Sequence, residues 1–244
     1  MNKKQFYNKS AFSLVELSIV IIIMGLLVAS ITVGKDLIKA AQVRGLISQV
    51  QNTQTKINTF RLKYNALPGD IMNAARKGLG NNSGDGNSII DSSDNSTKKA
   101  DREVAYLWQH LNAAGLTNGA YDGGTSKGAI GKTFPEAKVG NGLLIYGDDS
   151  GVNYLHIGVT NSDGNIKFKN SLAADDAHSI DNKLDDGQPY KGKIVARSCA
   201  NGKSLYADCV AKEVDNNCIT TISGNKEYDY SEKAKNCQLR IELR

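Results

Sequence analysis

From Phe12 to Gly34 the chain reads FSLVELSIVIIIMGLLVASITVG, a run with a single charged residue, Glu16. A stretch this long and this apolar is too greasy for a loop and too uniform for a half-buried surface element. As a helix rising 1.5 Å per residue it spans about 35 Å, enough to cross the hydrocarbon of a bilayer. An ionised acid at membrane depth costs roughly 2.5–3.5 kcal/mol even on the lenient insertion scale, so Glu16 needs a partner or a function. The bland alternative is that it snorkels to the headgroups from the helix start. Lys3, Lys4 and Lys9 precede the run with no acid among them. That asymmetry puts the first residues in the cytoplasm and the bulk of the chain across the membrane. A secretory signal peptide fits poorly, because its apolar core is shorter and a small-residue cleavage site follows it. Here VGKDLIKAAQVRG runs straight on in helical character.

A basic head, MNKKQFYNKSA, then Phe12, then an acid at the fifth position counted from Phe12, resembles the amino-terminal processing and methylation signal of type IV prepilins and type II secretion pseudopilins. The resemblance implies that a prepilin peptidase removes residues 1–11 by cutting between Ala11 and Phe12, then methylates the new amine of Phe12. Ala11 departs from the glycine usual before the cut. Glu16 is then expected to meet the amine of a neighbouring subunit during assembly. One helical turn, about 6 Å, separates Phe12 from Glu16, so an amine arriving one step along can reach the acid in low dielectric. An acid paired there is much cheaper than an acid left alone in lipid. The partners implied are the peptidase, like subunits in a homo- or heteropolymer, and an inner-membrane assembly platform. The implied location is the bacterial inner membrane, with the head in the periplasm, and a pilus or pseudopilus after assembly.

The helical pattern continues beyond the apolar run. Val43, Val50, Ile57 and Tyr64 recur every seven residues, with Leu46, Ile47 and Phe60 beside them. Gln49, Gln51, Gln54, Lys56, Asn58 and Arg61 supply a polar opposite face. Pro68 in NALPGD ends the pattern. The expected division is a leader at 1–11, a transmembrane and assembly helix at 12–34, an amphipathic continuation at 35–66, and a globular head at 67–244. One unbroken helix from Phe12 to Asn65 measures about 80 Å. Two helices with a break near Gly34 or Gly45 are the alternative.

In the head, Val104, Leu107, Trp108 and Leu111 fall at helical spacing, and Gly115 stops that helix. His110 sits between those core positions and reads as a packing or surface residue. GLLIYG, NYLHIGVT, NIKFKN, KGKIVARSC and CQLRIELR read as short strands bounded by Gly, Asn or Asp. SLAADDAHSIDNKLDDG holds a further helix. The fold class expected is α+β, a pilin-like head with an antiparallel sheet beside a long amino-terminal helix. The blocks LPGD, GDGN, E-x4-W-Q-H-L-x2-A-G-L and SIDNKLDDGQPYKG are similar to a bacterial subgroup of prepilin-type proteins, so the resemblance reaches well beyond the leader.

Two places invite calcium. Asn81, Ser83, Asp85 and Gly86 occupy positions one, three, five and six of an EF-hand-like loop. Position twelve, where a bidentate acid belongs, is Ser92. Asp181, Asp185 and Asp186 cluster at the end of the later helix, and the resemblance implies a calcium loop of the major-pseudopilin kind there. Solvated turns are the rival reading of both.

The chain of 244 residues suits one membrane helix and one domain of moderate size. Its net charge of +5 includes +3 from the leader, which leaves +2 for residues 12–244. No basic stripe interleaved with aromatics appears, so nucleic acid is not indicated. Cys199, Cys209, Cys218 and Cys237 contain no C-x-x-C pair, which argues against zinc. In an exported domain they read as disulfides. Three connectivities are open; Cys199 with Cys209 and Cys218 with Cys237 is the one expected, in line with the carboxy-terminal stapling the resemblance implies.

Enzyme signatures fail on context. GTSKG around Ser126 lacks the buried strand and following helix of a nucleophile elbow. STKK from Ser96 lies in a polar loop, and HExxH, Walker and Rossmann patterns are absent. The chain is expected to be a structural subunit and no enzyme. A membrane-anchored periplasmic binding module or enzyme is the alternative.

Overall fold

The computed structural model describes residues 13–92, 101–125, 128–139, 141–148, 150–162, 165–168, 171–197, 218–231 and 237–243. Ala11, Phe12, Ser96, Ser126, Cys199 and Cys209 lie outside them. The chain divides into two compact units, Met1–Gln42 and Val43–Arg244.

One helix, α1 (Leu14–Tyr64), contributes to both units. It runs unbroken through Gly34 and Gly45, so the two-helix alternative does not apply. Val43, Leu46, Val50, Thr53, Ile57 and Phe60 are its buried residues, alternately three and four apart. That spacing keeps one stripe turned to the core over five turns. Thr53 is the one polar member, and its hydroxyl donates to the Gln49 carbonyl at 2.8 Å, so no polar group is left bare. The core of the second unit thus begins at Val43, inside the helix, ahead of the head boundary expected at residue 67.

Past the helix a short 3-10 turn (Ala74–Lys77) leads to α2 (Arg102–Ala113). Five strands follow in one antiparallel sheet: β1 (Gly142–Gly147), β2 (Asn153–Ser162), β3 (Asn165–Phe168), β4 (Ile194–Arg197) and β7 (Gln238–Glu242). The order is β1-β2-β7-β4, with β3 paired to the far part of β2. Helix α3 (Ala174–Leu184) lies between β3 and β4 in sequence. A separate hairpin joins β5 (Ile219–Ile222) to β6 (Asn225–Tyr228).

Register explains why the sheet holds a core. Ile145, Leu155, Ile241 and Ile194 form one row across four strands, and Leu143, Ile157, Leu239 and Ala196 form the next. All eight are buried. Alternation places them on one face, and a slip of one residue would turn every one of them away. They join the helix stripe and Leu107, Trp108 and Leu111 of α2 in one hydrophobic cluster. Cys218 and Cys237, disulfide-bonded to each other, belong to the same cluster.

Both outer strands of the four-strand order are occupied along their free margins. Leu143 N–H donates to the Pro135 carbonyl and Gly147 N–H to that of Ile90, on the open side of β1. On the open side of β4, Ala196 N–H donates to the Pro189 carbonyl, and Lys193 and Ile194 N–H donate to Asp185 Oδ2. Covered edges resist pairing with a foreign strand.

Candidate functional site

The first turn of α1 carries a capping box. Ser13 precedes the helix; its hydroxyl accepts the Val15 N–H at 3.3 Å, and Glu16 Oε2 accepts the Ser13 N–H at 2.9 Å. Four amides at a helix start lack intrahelical partners, and Ser-x-x-Glu closes two of them reciprocally. Glu16 thus has a local hydrogen-bond role that sequence reading missed, although S-L-V-E spells the motif. Its carboxylate also carries negative charge at the positive end of the helix dipole.

Beyond that turn the helix wears a sleeve of apolar side chains. Every large one from Leu14 to Ile38 is exposed, from 50% at Ile19 to 87% at Leu14. The segment is long and apolar enough to cross a membrane. Leaving this surface in water would cost on the order of 20 kcal/mol at the usual coefficient per unit of apolar area. An apolar medium is what such a surface fits.

In the second unit, three sequence blocks converge on a buried polar node. Asp70, in L-P-G-D, accepts Gly86 N–H at 2.7 Å and Asn87 N–H at 3.0 Å on Oδ1, and Ser88 N–H at 2.8 Å on Oδ2. Glu103 on α2 accepts Asp85 N–H at 2.9 Å on Oε1 and Asp91 N–H at 3.1 Å on Oε2. His110, two turns on, accepts the Gly69 N–H on Nδ1 and donates from Nε2 to the Asn82 carbonyl, both at 2.9 Å. These partners dictate the Nε2–H tautomer of a neutral ring. Asp70, Glu103 and His110 together fasten both ends of the G-D-G-N loop.

The backbone has to come close for this. A side chain at Gly84 would run into the Asp70 backbone and lie 2.6 Å from Glu103 Oε1. At Gly69, with φ +94°, a Cβ would stand 2.5 Å from the Glu103 carbonyl oxygen. Glycine suits both positions, the second also for its left-handed backbone.

Burial sets the electrostatics of the node. It pushes Glu103 up to about 7, helped by the charges of Asp70 and Asp91 and opposed by the two amides it accepts. Burial raises Asp70 too, against the Ser88 and Gly86 amides, and lowers His110. Arg102 lies 3.7 Å from Asp91 and 3.9 Å from Asp85, and offsets part of the negative charge.

The calcium readings are redrawn by this geometry. Of Asn81, Ser83 and Asp85, Asp85 joins an acidic group whose other members, Asp70 and Glu103, come from outside the loop. Ser83 Oγ accepts the Ala74 N–H instead. One oxygen from each acid lies within 4.8 Å of the others. Since Asp70 and Glu103 already accept five amides, the group acts as a clasp on the loop, and a cation would have to share those oxygens.

Asp181, Asp185 and Asp186 do come together, with oxygens likewise within 4.8 Å. Each is committed locally. Asp181 Oδ2 accepts the Tyr228 hydroxyl at 2.7 Å and Oδ1 the Gly187 N–H at 3.3 Å. Asp186 accepts the Gln188 N–H, and Asp185 seals the edge of β4. Burial pushes Asp181 up to about 6, and Asp186 and Asp185 add to the rise.

The chain matches no family model, no curated protein and no solved structure.

Proposed function

We propose that this chain is a prepilin-like structural subunit of a type IV pilus or type II secretion pseudopilus. A prepilin peptidase removes residues 1–11 and methylates Phe12. The subunit waits in the inner membrane with its α+β unit in the periplasm, then polymerises through α1. The observation that carries this reading is the exposed apolar sleeve from Leu14 to Gly34 with Glu16 as its sole charge, one turn from the expected cut. In a fibre such helices bury one another, and hydrophobic packing holds the polymer.

The capping box sharpens the test of Glu16. Glutamine can replace glutamate in a capping box, whereas alanine cannot. If the acid serves assembly by its charge, both Glu16→Gln and Glu16→Ala leave leader removal intact and drop out of sheared filaments. If it only caps the helix, Glu16→Gln assembles normally, and the registration role is rejected. Processing itself is read by intact mass after expression with and without a prepilin peptidase. Loss of residues 1–11 plus one methyl group is the expected result; an unchanged mass in the peptidase-containing host overturns the proposal.

A further inference from the structure

A groove of about 400 Å³ lies between α1 and the segments that cover it, within the range of small-ligand sites. Gly45, Ser48, Asn52 and Lys56 supply its helix wall, Thr117, Tyr121 and Lys138 the opposite wall, and Trp108 also lines it. No acid lines it among the described residues, and it carries two lysines.

The groove is held in shape by specific contacts. Gln49 Nε2–H donates to the Glu136 carbonyl at 2.8 Å, and its Oε1 accepts the Lys138 N–H at 3.0 Å. The Gln49 amide therefore acts as a short strand would, pinning residues 136–138 to the helix. The stem of Lys138 then passes over Gly45, its Cγ 3.7 Å from where a Cβ would stand. Lys56 Nζ donates to the Thr117 hydroxyl at 3.3 Å, which fixes the second cation across the groove. The rings of Trp108 and Tyr121 sit 5.9 Å apart between their centroids.

Lys56 and Lys138 are the charged residues that line the groove, so it favours an anion, and a carboxylate suits ammonium groups as point charges. The hydroxyl of Ser48, the amide of Asn52 and the hydroxyl of Thr117 suit a ligand rich in hydroxyl groups. The Tyr121 ring offers an apolar face for C–H edges. We infer that this groove binds an acidic sugar, a hexuronate whose carboxylate lies between Lys56 and Lys138. The inference is independent of filament assembly.

Trp108 is the only tryptophan in the chain, so its emission reports directly on the groove. The full chain in non-ionic detergent micelles is titrated with galacturonate, galactose and acetate. Galacturonate is expected to give a saturable change in emission, with galactose and acetate each weaker by about tenfold or more, the loss of one charge-assisted contact or of the sugar ring. Lys56→Gln and Lys138→Gln are each expected to weaken galacturonate by about tenfold. Their unliganded emission maximum and thermal midpoint confirm an intact fold. Oligogalacturonate binding more tightly per residue than the monomer identifies a polysaccharide as the source; equal affinity identifies the free sugar. No saturable response to galacturonate, equal binding of galactose, equal binding of acetate, or full affinity in both folded lysine variants overturns the inference.

Discussion

The Tyr228 hydroxyl donates a 2.7 Å hydrogen bond to Asp181, a carboxylate with no exposed surface. It ties the β5–β6 hairpin to α3 at a point far apart in sequence. Phenylalanine at 228 keeps the ring and removes the donor, leaving one weaker amide on a buried acid. Tyr228→Phe should cost roughly 1–3 kcal/mol, read as a lower urea midpoint with an unchanged slope. A midpoint equal to that of the parent would show that the bond contributes nothing net.

His110→Phe tests the clasp on the G-D-G-N loop. The ring is similar in size, but the Gly69 N–H and the Asn82 carbonyl lose their partners. A loss of roughly 2–4 kcal/mol is expected, along with faster hydrogen exchange at Gly69. Slow exchange retained at Gly69 would mean that another group takes over the amide.

Glu103 should make stability depend on pH, and the direction follows from its shift. Its carboxyl ionises near 4.5 in the unfolded chain and about 7 in the folded one. Between those values the native state keeps a proton that the unfolded state has released, so this group lowers stability as pH rises through the window. His110 has a depressed folded value and acts oppositely, favouring the fold as pH rises towards 6.5. The difference in stability between parent and Glu103→Gln isolates the carboxyl. It should shift in favour of the glutamine variant between pH 4.5 and 7 and stay level outside that range. A flat difference throughout removes the claim.

Cys218→Ala with Cys237→Ala opens a link between residues 19 apart. The unconstrained denatured chain gains entropy worth about 3 kcal/mol on the loop-closure estimate, and two core positions lose their sulfurs. Thermal unfolding at fixed detergent should fall by several degrees. An unaltered transition would show that the β5–β6 hairpin is held by its packed ends, Ile219 and Tyr228, without the disulfide.

Much of this architecture was legible because it rests on periodicity. The helix stripe from Val43, the α2 pattern around Trp108 and the alternation of Leu239 and Ile241 each follow from one face meeting a core. The β5–β6 hairpin was missed. Only half of its signal was present: ITTI favours a strand and Ser223 and Gly224, with φ angles of 52° and 82°, suit a two-residue turn, but NKEY carries three residues that strands disfavour. Asn81, Ser83, Asp85 and Gly86 read along the chain as an EF-hand-like loop, whereas the group that forms takes only Asp85 from it and draws Asp70 and Glu103 from other segments. Linear spacing cannot foresee a node assembled by tertiary contact. Asp181, Asp185 and Asp186 were correctly grouped, since a helix end and its turn keep near neighbours together. His110 read as a packing or surface residue; it is fully buried, and its two backbone bonds depend on loops whose approach no local pattern encodes.

Asp185 holds two amides beside β4, and the carbonyls of Pro135 and Ile90 take two beside β1. Those margins offer a newcomer few vacant donors, so lengthening by strand exchange or amyloid-like stacking is discouraged there. For the filament proposed above, that leaves the greasy rod as the meeting ground of its copies, a contact that lipid would hide and reveal again.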